Sequence, residues 1–125
     1  MKKIAIAGGR DYTNREEAYR FIEQCIREEI PDEVPVILSG GCRGADAIGE
    51  QYAGEHGWQV EKFLPRWDEY GRAAGPIRNA QIAEKCDFAI CFWDGKSRGT
   101  RSLMNLVKKN GKKAYVFRYS LPKDE

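Results

Sequence analysis

The sequence predicts an α/β fold in three layers, with a mainly parallel five-stranded sheet held between two layers of helices. Three observations predict it. Short β-type apolar runs alternate with segments of helical period along the whole chain. The run Phe88–Trp93 is apolar at every position, which suits a central strand covered on both faces. Four loops that follow strands are rich in Gly and Arg or in polar residues, while the helix-to-strand loops are plain.

The first strand is predicted over Lys3–Ala7, ending in Gly8-Gly9. A helix follows over Asn14–Ile30, with Ala18, Phe21, Ile22, Cys25, Ile26 and Ile30 on one face. Asn14 is its expected N-cap, Glu17 three residues on completes a capping-box pattern, and Pro31 stops it. Val34–Ser39 is the second strand and Ala45–His56 the second helix, stopped by Gly57. Trp58–Leu64 alternates as a third strand, and Pro65–Gly75 is expected to be a long polar loop. The third helix is predicted over Pro76–Lys85, with proline in the tolerated first turn. Phe88–Trp93, a turn over Asp94–Gly99, a helix over Thr100–Asn110 and a strand over Ala114–Arg118 complete the pattern. Residues 119–125 read as a polar tail to one domain. The apolar runs Ile4–Ala7, Val36–Leu38 and Phe88–Phe92 are expected to be the central buried strands, and the expected strand order is 3-2-1-4-5, with the first and fourth strands adjacent at the switch point.

Composition narrows the function classes. The 125 residues are 42% hydrophobic and 32% charged, an ordinary soluble balance. No apolar run approaches the ~20 residues of a membrane span, and no signal-peptide pattern opens the chain. The formal charge of +2 is too small to imply bulk nucleic-acid binding. It is unevenly spread: residues 1–65 carry 8 basic and 12 acidic side chains, whereas 66–118 carry 12 and 5. The basic half favours an anionic ligand. Cys25, Cys42, Cys86 and Cys91 lack metal-site spacing, and His56 stands alone. Reduced thiols, no metal and a cytoplasmic protein are expected.

Candidate ligand residues cluster where strands end, the edge at which open α/β sheets bind ligands. In Ser39-Gly40-Gly41-Cys42-Arg43-Gly44-Ala45-Asp46, glycines permit close backbone approach, and the next helix begins at about Ala45, offering free N–H groups to a phosphate. A tight turn without a ligand is the plain alternative. Asp94, Ser97, Gly99 and Thr100 repeat the arrangement before the fourth helix, with ordinary N-capping as the alternative. Gly40, Gly41, Gly44, Gly99 and Thr100 are expected to line one cleft, joined by Gly8, Gly9 and Arg10. Arg78 can clamp an anion and Asn79 beside it can donate or accept; pairing of Arg78 with Glu84 or Asp87 is the alternative. Arg118 lies outside these motifs and is expected to matter less. Trp67 and Tyr70 could stack on a base or cover a core edge. Asp46 and Glu50, four apart on one helix face, and Asp11 are the candidate acids, whether for ribose hydroxyls, for catalysis or, for Asp46, for the helix dipole.

Four segments in order, Gly8-Gly9-Arg10-Asp11-Tyr12, Ser39–Asp46, Tyr70–Asn79 and Phe92–Thr100, resemble the YspA/YpsA-related SLOG family, part of the SMF/DprA–LOG superfamily. The resemblance runs from Met1 to about Arg118. It implies a Rossmann-like domain that binds a nucleotide or nucleotide-derived ligand, and it allows a homodimer; no cofactor is expected. Among the relatives, Lonely Guy phosphoribohydrolases pair an Arg in a helix-opening motif with an acid just after a Gly-Thr turn. Arg78 and Gly99-Thr100 are similar to the Arg and the turn, but Arg101-Ser102 stand where the acid is expected. The implied function is binding or sensing, with a nucleotide-processing hydrolase as the alternative.

Overall fold

The computed structural model describes residues 1–120; the remainder of the expected polar tail, 121–125, lies outside the described residues. The elements are β1 (Lys3–Gly8), α1 (Arg15–Glu29), β2 (Val36–Ser39), α2 (Ala45–Glu55), β3 (Val60–Lys62), α3 (Trp67–Tyr70), a 3-10 turn (Gly71–Ala73), α4 (Ala74–Lys85), β4 (Phe88–Trp93), α5 (Arg98–Lys109) and β5 (Lys113–Arg118). The sheet has the order β3-β2-β1-β4-β5, and every neighbouring pair is parallel. This is the predicted architecture. The strand order reverses between β1 and β4, where Ile4 pairs with Phe88 and Gly8 with Phe92.

Strand alternation sorts the core into two unequal layers. Ile4, Ile6, Ile37, Ile90 and Phe92 point to the α1/α2 side and bury against Ile22, Ile48 and Tyr52. Ala5, Ala89 and Cys91 point the other way, with Leu38, onto Ile82, Leu103 and Val107 of α4 and α5. Small residues on that face let α4 and α5 sit close to the sheet, which brings their first turns to its carboxyl edge.

Several boundaries differ from expectation, each for a local reason. Asn14 caps α1 by accepting from the Glu17 N–H at 3.2 Å, but the Glu17 carboxylate takes the Tyr12 hydroxyl instead of returning to Asn14, so only half of the capping box forms. β3 is shorter than predicted because it is an edge strand, and Trp58 packs on Tyr52 and His56. The stretch expected as a polar loop, Pro65–Gly75, is largely helical. The Arg66 carbonyl accepts from both Glu69 and Tyr70 N–H, and α4 begins at Ala74, placing Pro76 within the first turn, where its missing N–H costs nothing. Tyr119, expected in the tail, is buried against Tyr12. An aromatic ring there closes the end of the core that Gly8-Gly9 cannot fill.

Candidate functional site

A cleft of about 340 Å³ opens at the carboxyl edge over the β1/β4 switch point. Ala7–Asp11 form its floor, Gly40, Cys42 and Asp46 one wall, Arg78, Asn79 and Ile82 of α4 a second, and Asp94, Ser97, Gly99, Thr100 and Leu103 a third. Tyr119 closes it.

The β4–α5 turn is tied down by its own side chains. The Asp94 Oδ1 accepts from the N–H groups of Lys96 and Ser97, both at 2.8 Å, and these bonds hold its carboxyl below the usual range. Ser97 caps α5, accepting from the Thr100 N–H at 3.5 Å, and its carbonyl accepts from the Trp93 indole. Gly99 lies in the first turn with open space where a Cβ would stand. The first turn of α5 therefore faces the cleft with backbone N–H groups and two hydroxyls, an arrangement suited to an anion.

Arg78 does not pair with Glu84 or Asp87. Its Nη1 donates to the Gly40 carbonyl at 2.7 Å and its Nε to the Asn79 Oδ1 at 2.9 Å. Asn79 is buried and donates through Nδ2 to the Gly99 carbonyl at 3.2 Å, so one amide fastens the guanidinium to the α5 turn. Gly40 is the point of close approach: a Cβ there would stand 2.5 Å from Arg78 Nη1 and 2.8 Å from Asp46 Oδ2.

Asp46 is only 5% exposed. Burial pushes its carboxyl up to about 6, against the pull of the Cys42 N–H at 3.4 Å and the Arg78 charge. The ionised form is thus the one that burial disfavours. Folding stability from this group is fully present below the ordinary carboxylate range and is lost as pH rises through about 6. Two pH units of displacement correspond to about 3 kcal/mol. Urea unfolding of wild type and Asp46→Asn between pH 4 and 8 should show the variant gaining on wild type by that order across the interval. A constant difference would contradict it.

The expected glycine cradle is only partly assembled. Gly40, Gly99 and Thr100 share the cleft, but Gly41 and Gly44 do not line it. Gly41 has φ +75° and turns towards the exposed Leu64. Gly44, at φ +77°, lies against the carbonyls of Gly9 and Arg10, and the Ala45 N–H donates to the Gly9 carbonyl at 3.1 Å. The first donor of α2 is therefore satisfied by the β1 loop and is not offered to a ligand. Ser39 is buried behind the wall, donating to Glu50 at 2.6 Å and accepting from the Gly41 N–H at 3.1 Å. Glu50 also meets Lys62 at 3.3 Å, so it leaves Asp46 as the buried acid of the cleft. Arg10 and Asp11 line the cleft, while Arg43 is exposed and sits 3.7 Å from Asp11. Trp67 and Tyr70 are 54% and 44% exposed and lie outside the cleft.

Sequence reasoning missed Tyr119, Cys42, Ile82 and Leu103. Ile82 and Leu103 were recoverable, since they stand one helical turn beyond Asn79 and Thr100. Arg118 does not line the cleft. It lies 5.5 Å from the Trp93 ring, and a Cβ at Gly95, where φ is +85°, would stand 2.5 Å from its Nε. It therefore braces the turn that opens α5. Among the described residues, no group of three or more His, Cys, Asp or Glu is placed to hold a metal ion, and no helix is long and apolar enough to cross a membrane.

The family model described as "YspA, cpYpsA-related SLOG family" matches residues 2–70, more than half of the chain. The chain belongs to this SLOG family. The match spans β1 to α3 and so includes the first and second strand-end loops of the cleft. Among relatives of this SLOG chain, the Gene 61 protein of Mycobacterium phage D29 is 29% identical over 123 residues, covering 89% of this chain and 92% of the phage protein. Two solved structures share the SLOG fold seen here. DNA processing protein A (DprA) from Streptococcus pneumoniae superposes with a TM-score of 0.74 at 19% identity, over 97% of this chain and 52% of that one. The chain thus spans about half the length of that DprA structure. TM1055 superposes with a TM-score of 0.66 at 19% identity, over 91% of this chain and 72% of that one.

Proposed function

We propose that the cleft binds a nucleotide or nucleotide-derived ligand and that the protein acts as a binding or sensing module. The observation that carries this reading is the convergence of the open first turn of α5 with Arg78 and buried Asp46 on one cleft. A phosphoryl group would take the N–H groups and hydroxyls of the α5 turn together with the Arg78 guanidinium. Asp46, and the second oxygen of Asp94, would accept from ribose hydroxyls. Nucleic acid is not the expected ligand, because the cleft sets three carboxylates, Asp11, Asp46 and Asp94, against two guanidiniums, Arg10 and Arg78. The four free thiols are in keeping with a reducing cytoplasm.

A second reading, hydrolysis of an N-glycosidic bond, draws support from Asp46, whose displaced carboxyl could exchange a proton near neutral pH. Against it, Arg101 and Ser102 do not line the cleft, so α5 brings no carboxylate after Gly99-Thr100. Calorimetric titration with AMP and ADP-ribose tests binding, and chromatography of free base after incubation with nucleoside monophosphates tests turnover. Binding without base release is the expected result. Absence of binding by both ligands, or base release that is lost in Asp46→Asn, would overturn the sensor reading.

A further inference from the structure

Arg78 belongs to two cavities. Besides the cleft, it lines a second hollow of about 230 Å³, formed between the end of β3 and the outer face of α4. The two hollows differ in charge. The cleft carries three carboxylates to two guanidiniums, whereas the second hollow is lined by Lys62, Arg66 and Arg78, with no carboxylate among its described lining residues. Lys62 and Arg66 have counter-ions outside it, Glu50 at 3.3 Å and Glu69 at 3.1 Å. The Arg66–Glu69 pair is exposed, screened by water and readily exchanged for a stronger anion; Lys62 is itself exposed, while its partner Glu50 is half-buried and also accepts from Ser39. Arg78 forms no direct ion pair among the described residues, although its charge acts on Asp46 across the cleft: its two hydrogen bonds go to neutral acceptors, Gly40 and Asn79, and leave further N–H donors on the same planar group.

Resting on the nucleotide reading of the cleft, we propose that this hollow is a second anion subsite, which takes a further phosphoryl group of the same ligand, with Arg78 as the shared wall between the two phosphates. The physical requirement is a ligand whose charges lie apart. The α5 turn neutralises one phosphate with backbone dipoles and a single guanidinium, but the carboxylates around it repel additional negative charge. The three cations beside β3 supply the complementary field within reach of the same side chain. The preferred ligand is therefore a nucleotide with at least two phosphoryl groups.

The test is titration of the protein with AMP, ADP and adenosine 3′,5′-bisphosphate, repeated with the double variant Lys62→Met/Arg66→Met and, from the opposite wall, with Gln81→Trp. All three positions are exposed, so the fold should be retained, which urea unfolding will check. At least one doubly phosphorylated nucleotide should bind wild type tenfold or more tightly than AMP. The double variant should erase that gain and leave AMP affinity within twofold, and Gln81→Trp should do the same by filling the hollow. If AMP binds and a second phosphate adds nothing, or the gain survives both variants, or AMP weakens equally in the double variant, the subsite is refuted while the cleft reading stands. If none of the three nucleotides binds wild type, both readings fall together.

Discussion

Arg78→Ala should bind AMP roughly ten- to hundredfold more weakly than wild type, the equivalent of losing about 1.5–3 kcal/mol of charge-assisted hydrogen bonding. The size of the effect follows from how the side chain is held. Gly40 and Asn79 fix the guanidinium before any ligand arrives, so little rotamer entropy remains to be lost on binding. Arg78→Lys should recover only part of the affinity, because one ammonium cannot reach Gly40, Asn79 and a phosphate in the same planar arrangement. Asn79→Ala should weaken binding less, since it frees the guanidinium without removing the charge. Arg72, exposed in the 3-10 turn, is the fitting control; Arg118 is not, because it braces Gly95. The same substitution removes the cation that opposes the burial of Asp46, so the pH-dependent loss of stability should move to higher pH in Arg78→Ala. Calorimetry and urea midpoints read the two effects separately. An Arg78→Ala protein that keeps AMP affinity within threefold would remove Arg78 from the site.

Gly44→Ala and Gly99→Ala should behave as opposites. A methyl at Gly44 would meet the backbone of the β1 loop: the Gly9 carbonyl, and the Arg10 carbonyl at 2.6 Å. The φ of +77° adds strain for any other residue. The β1 loop cannot yield easily, because the Gly9 N–H is bound to the Phe92 carbonyl at 3.1 Å and the Gly9 carbonyl accepts from Ala45. The expected cost is about 2–4 kcal/mol of unfolding free energy, a large share of what a small domain has. At Gly99 no atom lies within 4 Å of the added methyl, and the residue is helical. Gly99→Ala should leave the urea midpoint equal or higher, by up to about 1 kcal/mol. It should nevertheless weaken AMP binding, because the methyl stands where the ligand approaches the α5 turn. Equal destabilisation by both substitutions would show that Gly99 is a folding glycine.

These two glycines also mark how far the residues alone could be read. Gly44 and Gly99 look alike in sequence: each opens a helix after a strand. Whether the space beside such a glycine holds a ligand or another strand's carbonyls depends on a neighbour thirty or more residues away. The architecture was legible because its signals are local and repeated. Phe88–Trp93 was bounded correctly since a strand buried on both faces shows as unbroken apolar sequence. Residues 65–75 misled because α3 buries none of its side chains, so Trp67 and Tyr70 make no helical stripe to detect. Arg78 lines the cleft, but its hold on Gly40 spans 38 positions, which no spacing rule conveys.

The pairing of β1 with β4 brings Lys3 and Asp87 together across 84 positions. The cleft lies over that seam, so neither its floor nor its α5 wall exists until the chain has closed a loop of that length. Closure of this kind raises the barrier to folding before any contact in the cleft can reward it. The nucleotide proposed for the cleft would therefore have nothing to hold during the climb. It would act as a latch on the finished sheet, lengthening the lifetime of the folded chain while leaving the speed of its assembly unchanged.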